Sequence, residues 1–252
     1  MASMTPRRRV LLAAALFALG ACGGRGPILQ QLGPDELYEL GQRKMESRDW
    51  QDAIRAFEQL TARFPGDPRI EEVRFRIGEA YFGKKDYITA AAEFVRLASD
   101  YPSGEYADDA RFRTCESYYA LSPKPQLDQE YTLAAISHCE ALIAYHPQSE
   151  YVERARERIE TLHDKLARKV YLNGEYYYKR RALDSSILYY EALLRDFPRS
   201  AYAPKALLRL VQVYQRLRYR EEMEAARDRL LREFPGSEEA KLAQEISLAN
   251  GE

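Results

Sequence analysis

LLRDFPRSAYAPKALLRL, Leu193 to Leu210, reads as the end of one helix, an aromatic–Pro stop and the start of another helix. The phrase recurs as LTARFPGDPRIEEVRFRI from Leu60, LASDYPSGEYADDARFRT from Leu97, LIAYHPQSEYVERARERI from Leu142 and LLREFPGSEEAKLAQEI from Leu230. Aligned on Pro65, Pro102, Pro147, Pro198 and Pro235, the copies are spaced by 37, 45, 51 and 37 residues. A fixed period of this length marks a repeat array, and the two longer intervals are one period plus eight and one period plus fourteen. Proline disfavours helix in the residue before it, so each pair closes a helix. Asp67, Ser149, Ser200 and Ser237, two places beyond four of the prolines, suit the N-cap of the helix that follows.

Inside a copy the pattern is helix–turn–helix. In the second, Gly78 and Tyr81 fall on the first helix, Ala90 and Phe94 on the second; Gly41, Ala53 and Phe57 hold the same places in the first copy. Small residues facing each other let two antiparallel helices approach closely, and the aromatic fills the space beside them. This arrangement resembles the tetratricopeptide repeat. The expected fold is all-α: a tetratricopeptide-repeat solenoid of five helix–turn–helix repeats, each burying its apolar faces on its neighbours, closed by a C-terminal capping helix over Ser237 to Ala249. The insertion in the third repeat, SPKPQLDQ with Pro123 and Pro125, predicts a loop. That in the fourth predicts a first helix running from near Glu150 past the usual length, with fourteen extra residues or about 21 Å.

The N-terminus is read apart from the fold. MASMTPRRRVLLAAALFALGACGG has three arginines, an apolar run from Val10 to Leu19 and small residues before Cys22. That is the order of an export signal, and the run is too short to span a bilayer. LGAC resembles the lipobox of bacterial lipoproteins, which implies cleavage before Cys22 and acylation of it. Gly23 in place of Asp implies sorting to the outer membrane. Several acyl chains would hold the chain at the membrane without a transmembrane helix. The organisation expected is a signal peptide over 1–21, acylated Cys22 and a tether over 22–33, repeats one to three over 34–147, and repeats four and five with the capping helix over 148–252.

The ordered combination of lipobox, five repeats, a third-repeat loop and a long fourth-repeat helix resembles the BamD family, lipoproteins of the outer-membrane β-barrel assembly machine. LYELGQRKMESRDWQDAIRAFEQLTARFP resembles the family's opening repeat, and LHDKLARKVYLNGEYYYKRRAL its fourth-repeat helix. Ser186 and Tyr190 depart from the pattern, standing where a small residue and Phe are expected. The resemblance implies a scaffold at the periplasmic face of the outer membrane that helps fold and insert outer membrane proteins. Its N-terminal repeats would receive unfolded outer membrane proteins and its C-terminal repeats would dock a BamA-like barrel subunit, with further accessory lipoproteins as possible partners. It implies no cofactor and no catalysis; neither a metal nor a nucleic-acid partner is expected. Another periplasmic tetratricopeptide lipoprotein, a type IV pilus assembly factor or a cell-wall adaptor, is the alternative.

The residues suggest where such partners would sit. Tyr38, Phe75, Phe112 and Tyr171 form a stripe along the first helices, with Met45, Phe82, Tyr119 and Tyr178 seven residues further on. Gln42, Glu79, Glu116 and Glu175 stand between them. An aromatic groove with polar flanks suits an extended apolar peptide, so Tyr38, Met45, Phe75, Glu79, Phe82, Phe112, Glu116 and Tyr119 are candidate peptide contacts. The alternative is that these rings pack against the neighbouring repeat. Charge is uneven: residues 34–121 carry 13 basic and 18 acidic residues, residues 165–232 carry 16 and 8. The basic half suits an acidic partner or anionic lipid, the alternative being a solvated surface, and Lys179, Arg180 and Arg181 with Arg216, Arg218 and Arg220 are the candidate docking ridge. HExxH, GxSxG and phosphate-loop patterns are absent. Cys115, Cys139 and His138 lack an evident fourth metal ligand. An oxidising compartment permits a Cys115–Cys139 disulfide, but the reading favours two buried thiols.

Overall fold

The computed structural model describes residues 29–246. The signal peptide and Cys22 lie outside them. A short 3-10 turn, Leu29–Gln31, leads into eleven α-helices: α1 Pro34–Glu46, α2 Trp50–Arg63, α3 Ile70–Gly83, α4 Tyr87–Asp100, α5 Ala107–Leu121, α6 Glu130–Tyr145, α7 Val152–Lys179, α8 Leu183–Asp196, α9 Ala203–Leu217, α10 Arg220–Glu233 and α11 Glu238–Glu245. Among the described residues there is no strand, and no helix is long and apolar enough to cross a membrane. Each helix packs on the next, and the main longer contacts reach two helices along, from α5 to α7, α7 to α9 and α9 to α11. The product is a tetratricopeptide-repeat solenoid of five helix pairs with α11 as its cap. On α11, Ala240 and Ala243 are buried and Ser237 caps the first turn, its Oγ accepting from the Ala240 amide at 3.1 Å.

The period is written in one contact. A Cβ added to Gly41 would stand 2.3 Å from the Phe57 ring, one on Gly78 2.5 Å from Phe94, and one on Gly174 2.5 Å from Tyr190. All three rings are fully buried. The ring of each second helix therefore lies flat on the backbone of its first helix, where any side chain would collide. The third repeat puts Cys115 in the glycine place and Cys139 in the ring place, and the two form a disulfide with Cα atoms 5.0 Å apart. The expectation of two free thiols is thereby corrected: the close approach that glycine permits elsewhere brings the two sulfurs within bonding reach. In the fifth repeat Val211 takes the glycine place and Met223 the small position of the second helix, both buried in the C-terminal core.

The turns within repeats are equally regular. Arg48, Lys85, Arg181 and Arg218 all have φ between 61° and 64°. The amide of the next residue reaches back five positions in each case, as from Asp49 to Lys44 O at 2.8 Å and from Ala182 to Tyr177 O at 3.1 Å. This is a Schellman ending with a cation at the left-handed position that usually takes glycine. The cation meets the negative end of the helix dipole, which offsets part of the backbone strain.

The helices after the prolines begin later than expected. Asp67 and Ser149 do not cap α3 and α7. They accept the amides of Arg69 and Tyr151, two residues on, at 2.9 and 3.3 Å, so an extra turn precedes the helix. Only Ser237 of the four predicted caps serves as one.

The two insertions meet. The loop between α5 and α6 is held inside by Gln129, whose Nε2 donates to Lys124 O and Leu127 O at 2.9 and 3.0 Å. It is held outside by α7: Lys165 Nζ donates to Ser122 Oγ and Lys169 Nζ to Leu127 O, both at 2.7 Å. The long helix thus carries the repeats after it further along and also anchors the loop.

Two outcomes are expected. Gly78→Ala lowers stability by about 1–3 kcal/mol through overpacking, and Phe94→Leu in the same chain recovers part of the loss; urea unfolding of the single and double variants measures both. Denaturing alkylation without reductant leaves Cys115 and Cys139 unmodified, and reduction or a double Ser variant costs ~2–4 kcal/mol in the same assay.

Candidate functional site

The predicted aromatic stripe exists, but its rings are used between repeats. Tyr38 is covered by the Arg69 guanidinium at 4.7 Å, Phe75 lies 5.1 Å from Tyr106, Phe112 stacks on Tyr151 at 4.6 Å and Tyr171 lies 5.5 Å from Tyr202. Arg69, Tyr106, Tyr151 and Tyr202 each stand four residues beyond a repeat's proline. The ring of one repeat is thus seated on the entry residue of the next. Phe112 is only 2% exposed, with Tyr151 on one side and Arg154 at 4.6 Å. It is corrected from peptide contact to packing residue, because no face of its ring is left for a ligand. Phe75 is half-buried between Phe94 and Tyr106.

The second row is built differently. Arg113 donates to Glu79 and lies 3.8 Å over the Phe82 ring. Arg158 donates to Glu116 at 2.7 Å and lies 4.4 Å over Tyr119. Arg209 holds both oxygens of Glu175, at 2.6 and 3.0 Å, and lies 4.7 Å over Tyr178. Each arginine thus comes from the next repeat's first helix and clasps both a carboxylate and a ring of the repeat before. The first interface breaks the series. Gln42 replaces the glutamate and donates to Tyr38 Oη at 2.8 Å, while Arg76 turns to Glu72 of its own helix at 3.3 Å. Arg76, Arg113, Arg158 and Arg209 all lie eleven residues past a proline. Their fixed offset from the prolines is a signal legible in the sequence, carried by basic residues and not by the aromatic and acidic ones.

Electrostatics follow from the pairing. Burial pushes the Glu175 carboxyl up, but hydrogen bonds from Arg209 and Tyr190 outweigh it and hold the group below its ordinary 4.5. Arg69 donates to Asp67 from side chain and backbone and holds that carboxyl at about 2. Tyr151, donating to Asp109 at 2.7 Å, is pushed up to about 12 by that bond and by burial. Glu79 and Glu116 are charge-paired by Arg113 and Arg158 of the next repeat. On the first-helix face of repeats one to three, Tyr38, Met45, Phe82 and Tyr119 keep partly exposed edges, as does Phe75.

The six docking cations occupy the turns of repeats four and five. Lys179 ends α7, Arg180 lies 3.8 Å over the Tyr176 ring and Arg181 is the left-handed residue. Arg216 lies 4.7 Å over Tyr178, Arg218 is the matching left-handed residue and Arg220 pairs with Glu224 at 3.2 Å. Because Arg216 reaches the ring next to Lys179, the two triplets are neighbours on one edge. All six are exposed. The histidines are spent on packing or turns: His138 stacks on Tyr118 at 4.9 Å, His163 lies 6.0 Å from Phe197 and His146 closes α6. The disulfide removes both described cysteines from any metal set, and among the described residues no group of three His, Cys, Asp or Glu could hold an ion.

Glu175→Gln is expected to cost about 1.5–3 kcal/mol near neutral pH, the worth of hydrogen bonds to a charged group. Since the folded-state pKa lies below 4.5, the carboxylate's contribution is full above that value and is lost as pH falls through the folded pKa. The gap between wild-type and variant in urea midpoints therefore narrows only in that acid window.

A family model described as YfiO, outer membrane lipoprotein, matches residues 30–230. A protein of Vibrio cholerae serotype O1, outer membrane protein assembly factor BamD, is 24% identical over 213 residues, covering 81% of this chain and 88% of its own length. The protein of the same name from Caulobacter vibrioides is 25% identical over 236 residues, covering 91% of this chain and 77% of its own. Among solved structures, the TPR2AB domain of yeast Sti1 in complex with an HSP90 peptide has a TM-score of 0.44 at 13% identity, over 84% of this chain and 81% of that one.

Proposed function

Since the chain belongs to the YfiO family of outer membrane lipoproteins, we propose that it is the tetratricopeptide scaffold of an outer-membrane β-barrel assembly complex, tethered through acylated Cys22 at the periplasmic face. The observation that carries this reading is the extent of the family match, which runs from the first helix into α10 and so takes in all five pairs. The work is division of labour along a stiff array. Repeats one to three offer an unfolded outer membrane protein the edges of Tyr38, Met45, Phe82 and Tyr119, with Phe75, Glu79, Phe112 and Glu116 holding those edges in place. Repeats four and five dock the barrel subunit through Lys179, Arg180, Arg181, Arg216, Arg218 and Arg220. Clustered like charges on one edge raise the encounter rate with an acidic periplasmic domain. A scaffold also accounts for side chains spent on interfaces between repeats.

Crosslinking in native membranes followed by affinity capture tests this reading. Wild-type protein is expected to retrieve a β-barrel protein with periplasmic domains. Glu substitutions at either basic triplet are expected to slow association and abolish its weakening by salt, since the attraction that salt screens is gone. Cys22→Ser is expected to release the chain from the outer membrane once the barrel subunit is absent. Retrieval of pilus or cell-wall components in place of a barrel protein would sink the proposal.

A further inference from the structure

The offset made by the long helix leaves a line of α7 uncovered. Lys165, Lys169, Leu172, Tyr176 and Arg180 succeed each other at three- and four-residue steps and so share one face of the helix. The α5–α6 loop covers the first two, taking Lys165 on Ser122 and Lys169 on Leu127 O. Leu172 is partly exposed, Tyr176 is 52% exposed, and Leu127 at the loop's rim is 58% exposed. Tyr176 meets Tyr177 edge-on at 5.3 Å, and Tyr177 stacks on Tyr189 of α8 at 5.3 Å. The rings therefore form a braced shelf. From Leu172 to Arg180 the shelf is about 12 Å long, two turns of helix.

We infer that this shelf is a docking site for an acidic amphipathic helix of a partner protein. Charge complementarity selects the occupant. Residues 165–181 hold six cations against the single carboxylate of Glu175, which Arg209 already takes, while Asp128 beside Leu127 and Asp184 in the first turn of α8 add two exposed carboxylates and leave the cations in excess. Arg168 and Arg181 make no ion pair among the described residues, and Lys179 acts on Glu175 only through space, the carboxylate's hydrogen bonds coming from Arg209 and Tyr190. Apolar anchors would cover Leu127, Leu172 and Tyr176 in line with α6, while carboxylates on the flanks would meet Arg168, Lys179 and Arg180. Arg180 already lies over Tyr176 at 3.8 Å, so an incoming carboxylate would find its cation fixed beside the apolar anchor point. The inference deepens the docking reading above, on which it rests for the partner's compartment but not for its chemistry.

The test uses the full chain from residue 22 and a helix-stabilised synthetic peptide with Leu and Phe on one face and Glu on its flanks. A second peptide has every Glu replaced by Lys. The Glu peptide is expected to bind, more weakly as salt rises, and the Lys peptide is not. Leu127→Ser with Tyr176→Ser, two exposed positions, is expected to lower affinity by at least about tenfold while the circular dichroism spectrum is unchanged. Arg180→Glu, which leaves the rings in place, is expected to weaken the Glu peptide and strengthen the Lys peptide. Equal binding of the two peptides, no binding of the Glu peptide, or full binding by the Ser variant would overturn the inference. Concentration-dependent dimerisation of the wild type, removed in the Ser variant, would overturn it in favour of a second copy of this chain. A Ser variant that loses the peptide yet still captures the barrel subunit leaves the shelf standing and moves that subunit elsewhere.

Discussion

Everything in this solenoid follows from how closely the two helices of a repeat approach. A ring laid on a glycine backbone fixes that distance in the first, second and fourth repeats, at Gly41–Phe57, Gly78–Phe94 and Gly174–Tyr190. The contact tolerates no added atom on the glycine side. It also brings the antiparallel partner near enough for the third repeat to replace ring and glycine with a disulfide between Cys115 and Cys139. A covalent bond and a van der Waals contact thus serve the same geometric purpose at equivalent places. Once each pair has a fixed thickness, stacking pairs at a constant angle is the remaining degree of freedom.

That degree of freedom is set by the residues between repeats. An entry residue four positions past each of the first four prolines seats the preceding ring, and at the last three of these interfaces an arginine eleven positions past the proline clasps the preceding carboxylate and a second ring. A guanidinium can do both because it is planar and donates in a fork, so one side chain stacks and pairs together. The half-buried setting of Glu175 and Arg209 makes the pairing worth more than a surface ion pair. The first interface, with Gln42 in place of a carboxylate, lacks this clasp.

The insertions show how an array built from equal units acquires distinct halves. Fourteen additional residues in α7 carry the last two repeats along its axis, and the eight-residue loop fills part of the step with its carbonyls on Lys165 and Lys169. The step leaves the two halves with different surfaces: paired charges and ring edges on the N-terminal side, clustered cations on the C-terminal side.

The sequence by itself determined the repeat number, the helix–turn–helix pattern, the small and aromatic positions and the site of both insertions. All of these are local or periodic, so spacing along the chain records them. It also displayed the basic turns, because charge is a property of residues wherever they fold. Tertiary structure alone decided which rings face a ligand. Phe112 and Phe82 occupy successive rows of the same pattern, yet Phe112 is sealed under Tyr151 whereas Phe82 keeps an open edge, since exposure depends on what the next repeat brings. It likewise decided that Cys115 and Cys139 are bonded, for their separation in space is set by the packing of α5 on α6. The turns before α3 and α7 also waited on the fold: Asp67 and Ser149 could cap a helix or hold a preceding turn with the same oxygen, and the position of the next repeat selects the turn.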